Sequence, residues 1–148
     1  MEKRIRGFER VTGYSSVSLP ERKTAYSAGY DLAAAEDIIL ESGTVTLVPT
    51  GLKAYMQNDE YLGVHIRSSM AIRHHLSLIN GQGIIDADYY NNSDNEGHIM
   101  IALFNHSKTA VKVEKNTRIA QGIFGKYLRT DTDCAQMIRT GGMGSTGE

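Results

Sequence analysis

Hydrophobic and polar positions alternate in short runs along most of this chain, and a period of two predicts β-strands. Thr44-Val45-Thr46-Leu47-Val48 is the clearest run, and it stops at the turn Pro49-Thr50-Gly51. Arg4 to Val11, Tyr30 to Ala35, Leu52 to Met56, Tyr61 to Arg67, Leu76 to Ile79 and Ala110 to Glu114 also read as strands. Ile99 to Phe104 is almost wholly apolar and predicts a fully buried strand. Arg118 to Leu128 fits neither period cleanly, and strand is favoured over helix. Thr12 to Ser27, with Pro20 and several serines, reads as a loop. Ser68 to His75 alone predicts a helix before the tail, about two turns long, with a serine at its start to accept hydrogen bonds from the first-turn amides. Many short strands separated by turns predict an all-β barrel or sandwich. Residues 1–128 form the expected β domain, and the polar, glycine-rich residues 129–148 a mobile arm.

The stretch Asn80-Gly81-Gln82-Gly83-Ile84-Ile85-Asp86-Ala87-Asp88-Tyr89-Tyr90-Asn91 stands at the centre of this pattern. Its glycines permit positive φ and close approach to the backbone. The two isoleucines predict a short strand with both side chains buried. A carboxylate held rigidly at the end of such a strand can serve as a general base, and the tyrosines beside it can lie against a flat ligand. Asp-x-Asp-Tyr-x-Asn is equally good turn chemistry, because Asp and Asn side chains bond their own backbone. This stretch read alone divides evenly between a site and a plain hairpin turn.

Charge narrows the classes of partner. Sixteen Lys and Arg balance 17 Asp and Glu, which argues against a nucleic-acid coat or a basic membrane surface. A small polyanion needs only a few focused arginines and stays possible. The single cysteine, Cys134, excludes an intrachain disulfide and fits a reducing cytoplasm. No cysteine–histidine pair has zinc spacing. The charged N-terminus lacks the apolar run of a secretory signal, and no stretch is long enough to span a bilayer.

Four further groups carry possible chemistry, each beside a plainer reading. Asp31 in Ala28-Gly29-Tyr30-Asp31-Leu32 can hold a hydrated Mg²⁺, which keeps several waters; alone it reads more readily as a solvated strand end. Arg67-Ser68-Ser69 meets a helix N-terminus and suits a phosphate, or is a serine cap beside a surface arginine. Gln121, in Arg118-Ile119-Ala120-Gln121-Gly122, can orient a water, or face solvent from an edge strand. The glycine-rich end resembles a phosphate cradle but lacks the Gly-Lys-Ser/Thr of a P-loop. Composition favours a disordered end there, while Arg139 just upstream is a natural phosphate clamp. His74, His75 and Cys134 read as bystanders.

Taken in order, five stretches resemble the trimeric dUTPase family: Ala-Gly-Tyr-Asp-Leu at 28–32, Arg-Ser-Ser at 67–69, Asn-Gly-x-Gly-x-Ile-Asp-x-Asp-Tyr at 80–89, Arg-Ile-Ala-Gln at 118–121 and Gly-Gly-Met-Gly-Ser-Thr-Gly at 141–147. Singly they are weak; together and in order they are specific. The resemblance implies an all-β fold, a distorted jelly roll of the β-clip type with one short helix. It implies a homotrimer with shared active sites, each built from pieces of all three chains, and hydrolysis of dUTP to dUMP and pyrophosphate with Mg²⁺. Asp86 would be the base that activates water for attack on the α-phosphorus. Tyr89 would pack on the deoxyribose and exclude a 2′-hydroxyl. Asn80 and the backbone of the following hairpin would read the uracil edge, and Gly83 and Met100 would also bind substrate. Arg67, Ser68, Ser69 and Gln121 would serve the phosphates, and Asp31 would hold waters on Mg²⁺. Arg139, Gly144 and Ser145 would close over the triphosphate. Rival readings are a dCTP deaminase or two-activity enzyme of the same fold, or a nucleotide-binding regulatory protein. Three features depart from the family pattern. Met143 stands where an aromatic is usual, the spacing from Arg139 to the glycine pair is one residue short, and the turn at 90–96 is longer.

Overall fold

The computed structural model describes residues 3–144. Eleven strands and one short helix are formed among them. Four strands make the sheet that carries most of the chemistry, in the order β2 (Tyr30–Ala33), β11 (Arg118–Lys126), β6 (Glu60–Ile66), β8 (Gly83–Asp86). A second sheet has the order β4 (Val45–Pro49), β9 (Met100–Asn105), β7 (Leu76–Leu78). Two strand pairs complete the fold: β1 (Gly7–Arg10) with β5 (Leu52–Tyr55), and β3 (Ile38–Leu40) with β10 (Val111–Val113). All pairs are antiparallel, and the whole is the expected distorted jelly roll.

One core holds these layers together. Leu32, Leu40, Val48, Leu52, Leu62, Ile101, Leu103 and Ile119, from seven different strands, and Ile99 just before β9 are fully buried. Removing each such side chain from water contributes about 1.5–3 kcal/mol. Within the stretch Arg118 to Leu128, strand runs from Arg118 to Lys126, pairing β2 through Arg118–Gly122 and β6 through Ala120–Lys126. The register slips between Arg118 and Ala120, and beyond this bulge Gln121 stands opposite Asp31. Bulges re-aim side chains in this way.

Several sequence expectations change. Ile38-Ile39-Leu40 forms a strand that no alternation announced, because three residues are too few to show a period. Only Ile85 of the isoleucine pair is buried; Ile84 is half exposed. In the strand expected to be fully buried, Met100 and Phe104 keep partial exposure. Helix α1 (Ser68–His74) has Arg67 as its cap residue and no side-chain capping bond, so the serine cap is not made. The helix stops at His75, whose left-handed φ of 55° turns the chain into β7.

Asn105 joins three parts of the fold and is fully buried. Its Nδ2 donates to the carbonyls of Leu40 and Thr109, both at 2.9 Å. Its Oδ1 accepts from the Ser107 amide at 2.9 Å and the Ser107 hydroxyl at 2.7 Å. Each buried polar group left without a partner costs roughly 1–3 kcal/mol. Asn105→Leu is therefore expected to lower the unfolding free energy by about 2–4 kcal/mol. Urea unfolding measures this, and a variant as stable as the parent would show that the network contributes nothing.

Candidate active site

In the four-stranded sheet, β8 is an edge: β6 lies on one side, and no described strand bonds the other. Such an edge offers free backbone donors and acceptors. A cavity of 260 Å³ lies along it, between β8 and β9. Its walls include Val64, Leu78, Ile85, Ile101 and Ala102, and also Asn80, Gly83, Asp86, Tyr89, Met100, Arg139, Met143 and Gly144. Six residues expected in a site from the sequence, Asn80, Gly83, Tyr89, Met100, Arg139 and Gly144, thus share it with the predicted base. Ser145 lies outside the described residues. The exposed Ile84 is explained here, since it too lines the cavity. A half-apolar slot with an unpaired strand edge suits a flat, neutral, hydrogen-bonding ring.

Asp86 ends β8, and the chain then turns through one 3₁₀ turn, Ala87–Tyr89. Arg139 reaches this turn from the arm. Its Nη2 lies 2.6 Å from Asp86 Oδ2 and its Nε 2.8 Å from Asp88 Oδ1. The guanidinium also sits 5.8 Å from the centre of the Tyr89 ring. Arg139 is only 9% exposed, although both carboxylates are more than half exposed. Asp88 was not singled out in the sequence as a partner of the arm. Nothing local marks it, because its partner is 51 residues away.

Tyr89 is almost fully buried and belongs to the core. Its hydroxyl donates to the His98 carbonyl at 2.6 Å and accepts from Asn95 Nδ2 at 2.9 Å. Burial raises its pKa above the usual phenol value, and the Asn95 hydrogen bond opposes that. The ring is therefore a fixed, neutral wall. His98 is fixed in turn: its Nε2 accepts from the Gly51 amide at 2.8 Å, and its ring lies against Tyr14. Accepting at Nε2 requires the neutral tautomer with the proton on Nδ1.

A second group gathers near the opposite edge of the sheet, where β2 and β11 meet the start of α1. Lys23, Ser27, Gly29, Asp31, Arg67, Ser68, Ser69, Arg118 and Gln121 line this open depression. The sequence named Asp31, Arg67, Ser68, Ser69 and Gln121, and the fold brings them together. Lys23 and Ser27 were missed, since they sit in a loop with no pattern. Three cations face one carboxylate, so the depression is net positive and suits a polyanion. Asp31 lies 3.2 Å from Arg118 Nη1 and 3.7 Å from Arg67 Nε. Gly29 leaves room for Gln121: a Cβ there would meet the end of the Gln121 side chain and push it aside. Among the described residues no three His, Cys, Asp or Glu side chains cluster to hold a metal. A single carboxylate fits Mg²⁺ bound through water and held mainly by phosphate oxygens.

The two groups share no residue. Three interstrand spacings separate β2 from β8, about 14 Å at 4.8 Å each.

A family model described as dUTPase matches residues 15–147. The deoxyuridine 5′-triphosphate nucleotidohydrolase of Lactococcus lactis subsp. lactis is 49% identical over 148 residues, covering 97% of this chain and 99% of that protein. The protein of the same name from Rickettsia massiliae is 36% identical over 151 residues, covering 97% and 95%. The crystal structure of dUTPase from Streptococcus mutans superposes with a TM-score of 0.83 at 47% identity, over 84% of this chain and 98% of that one. The dUTPase from phage phi11 of S. aureus has a TM-score of 0.74, covering 93% and 99%, and at 16% identity shows the fold alone.

His98, whose carbonyl accepts from the Tyr89 hydroxyl, is buried enough for its own protonation to bear on folding stability. Burial lowers its pKa below the ordinary 6.5, against the pull of Glu96 and Glu36. The folded state therefore binds this proton less readily than the unfolded chain. The stability it contributes is complete above pH 6.5 and is lost as pH falls through the lower folded value. Unfolding free energy between pH 7 and 5 is expected to fall more steeply in the parent than in His98→Gln. Equal slopes would contradict this account of His98.

Proposed function

This chain belongs to the dUTPase family, and on that premise we propose that it hydrolyses dUTP to dUMP and pyrophosphate. The observation that carries the reading is the cavity on the free edge of β8, which ends at Asp86 with Arg139 above it. The uracil ring enters this cavity and bonds the open strand edge near Asn80 and Gly83, with Met100 on the far wall. The buried Tyr89 ring packs on the deoxyribose. Its position is fixed at both ends of the hydroxyl, so it does not yield to an added 2′-oxygen. Asp86 takes a proton from the water that attacks the α-phosphorus, and a positioned base contributes about 10²–10⁴-fold.

Arg139 pairs with one oxygen of Asp86, whose side chain stays about half exposed. The triphosphate offers this guanidinium a more highly charged, bidentate partner, so Arg139 moves to phosphate oxygens and leaves the carboxylate free. Ser68, Ser69, Gln121 and Arg67 hold the phosphates at the depression on the opposite edge. Mg²⁺, with its waters held by Asp31, would offset phosphate charge as the α–β bond breaks. The base end and the phosphate end lie at opposite edges of one sheet. A second copy of the chain therefore supplies the phosphate end to each cavity, which the homotrimer of this reading provides. Among the described residues no helix is long and apolar enough to cross a membrane, and the lone, exposed Cys134 is consistent with a place in the cytoplasm.

Pyrophosphate release from dUTP, compared with dTTP, UTP and dCTP, tests the reading. Turnover is expected with dUTP and at most weakly with the other three; ammonia release from dCTP would instead favour a deaminase. Asp86→Asn is expected to lower kcat by about 10²-fold or more while nucleotide still binds. Turnover within a few-fold of the parent would remove Asp86 from the role of base.

A further inference from the structure

The turn after Tyr89 takes no part in the chemistry above, yet it is tightly built. Asn92 is buried, and its Oδ1 accepts from the amides of Asp94 at 3.0 Å and Asn95 at 3.1 Å. Its Nδ2 donates to the Tyr89 carbonyl and to Asn95 Oδ1, both at 2.8 Å. Lys53 grips the other side through Asn91 at 2.6 Å and Glu96 at 2.9 Å. Asn91, Glu96 and Gly97 all have positive φ. A turn this constrained presents a fixed surface.

The arm lies on that surface. Ser93 Oγ donates to the Thr140 carbonyl at 2.6 Å, and the Gly142 amide donates to Asp94 Oδ2 at 3.3 Å. Gly142 is buried, and a Cβ on it would come within 2.8 Å of Asn95 Nδ2. Any larger residue there would have to push the Asn95 amide aside. Contacts at Thr140 and Gly142 fix the register of the arm. That register sets Arg139 over Asp86 and brings Met143 and Gly144 to the cavity. Two departures noted in the sequence, the longer turn and the shorter spacing from Arg139 to the glycines, meet each other here.

We propose that the turn at 91–97 is the seat on which the arm closes. Ser93 and Asp94 are positioning residues for Arg139, and Asn95 carries the position of the arm to Tyr89. This rests on the reading that the arm closes over bound nucleotide. Asn95 bonds the Tyr89 hydroxyl on one side and packs against Gly142 on the other. Closure of the arm and placement of the cavity wall are thereby one event.

A double-mutant cycle tests it. Ser93→Ala with Asp94→Ala is compared in the full chain and in a chain truncated after residue 135. The readouts are kcat/KM for pyrophosphate release from dUTP and the affinity for an α,β-imido analogue of dUTP, which remains measurable if truncated turnover is too slow. Losing two hydrogen bonds is expected to lower kcat/KM of the full chain about tenfold, at roughly 2- to 10-fold each. In the truncated chain the same pair should change either readout less than twofold. Asp94→Asn, which keeps an oxygen acceptor, should recover most of the loss due to Asp94→Ala. Equal losses in both backgrounds would overturn the proposal, as would no loss in the full chain. Full activity after truncation would overturn the closing-arm reading itself, and the seat with it.

Discussion

The width of one sheet governs this molecule. Backbone ladders hold β2, β11, β6 and β8 in a fixed order, and ladder spacing cannot stretch to suit a ligand. The neutral slot with its carboxylate occupies one edge, and the cationic depression gathers near the other. Burial reinforces the separation, because Leu32, Leu62 and Ile119 lock these strands to the common core. A nucleoside triphosphate has a flat neutral end joined to a polyanionic end, and the chain offers a complement to each on different edges. Assembly of copies is then a chemical requirement of the proposed reaction and goes beyond stability.

Charge placement follows the same logic. Arg139 Nη2 lies 2.6 Å from Asp86 Oδ2, so the candidate base is paired with the group that would clamp the phosphates in the proposed reaction. In the proposed reaction, exchange of that guanidinium from carboxylate to phosphate would tie exposure of the base to arrival of substrate. The seat at 91–97 limits where the guanidinium can go, and Tyr89 is bonded to the seat through Asn95. Slot, base and arm are thus linked through side chains that lie close together in space.

Much of this was legible in the sequence because its signals are local. Alternation located most strands, and the Ile85-Asp86 junction and the Arg67-Ser68-Ser69 run lie where strand ends were expected. What was not legible depends on distant partners. Ile38-Ile39-Leu40 is a strand because Val111 to Val113 pairs with it. Ile84 is exposed because β8 is an edge, which no run of apolar residues reveals. The serine cap failed because Arg67 already occupies the capping position. Asp88, Ser93 and Asp94 read as ordinary turn residues, and only the return of the arm some fifty positions later gives them partners.

The central claim is that each catalytic site joins the β8 edge of one copy to the β2–β11 edge of another. Mixing two inactive variants tests this directly. Asp86→Asn chains retain the phosphate end, and Gln121→Ala chains retain the base. The two are unfolded together, refolded, and assayed for pyrophosphate release from dUTP. In a cyclic trimer mixed at equal ratio, about a quarter of the sites would combine an intact Asp86 with an intact Gln121. The account predicts that activity returns toward that fraction of the parent. Mixed oligomers that form, as shown by native mass spectrometry, yet stay as inactive as either variant alone would contradict it.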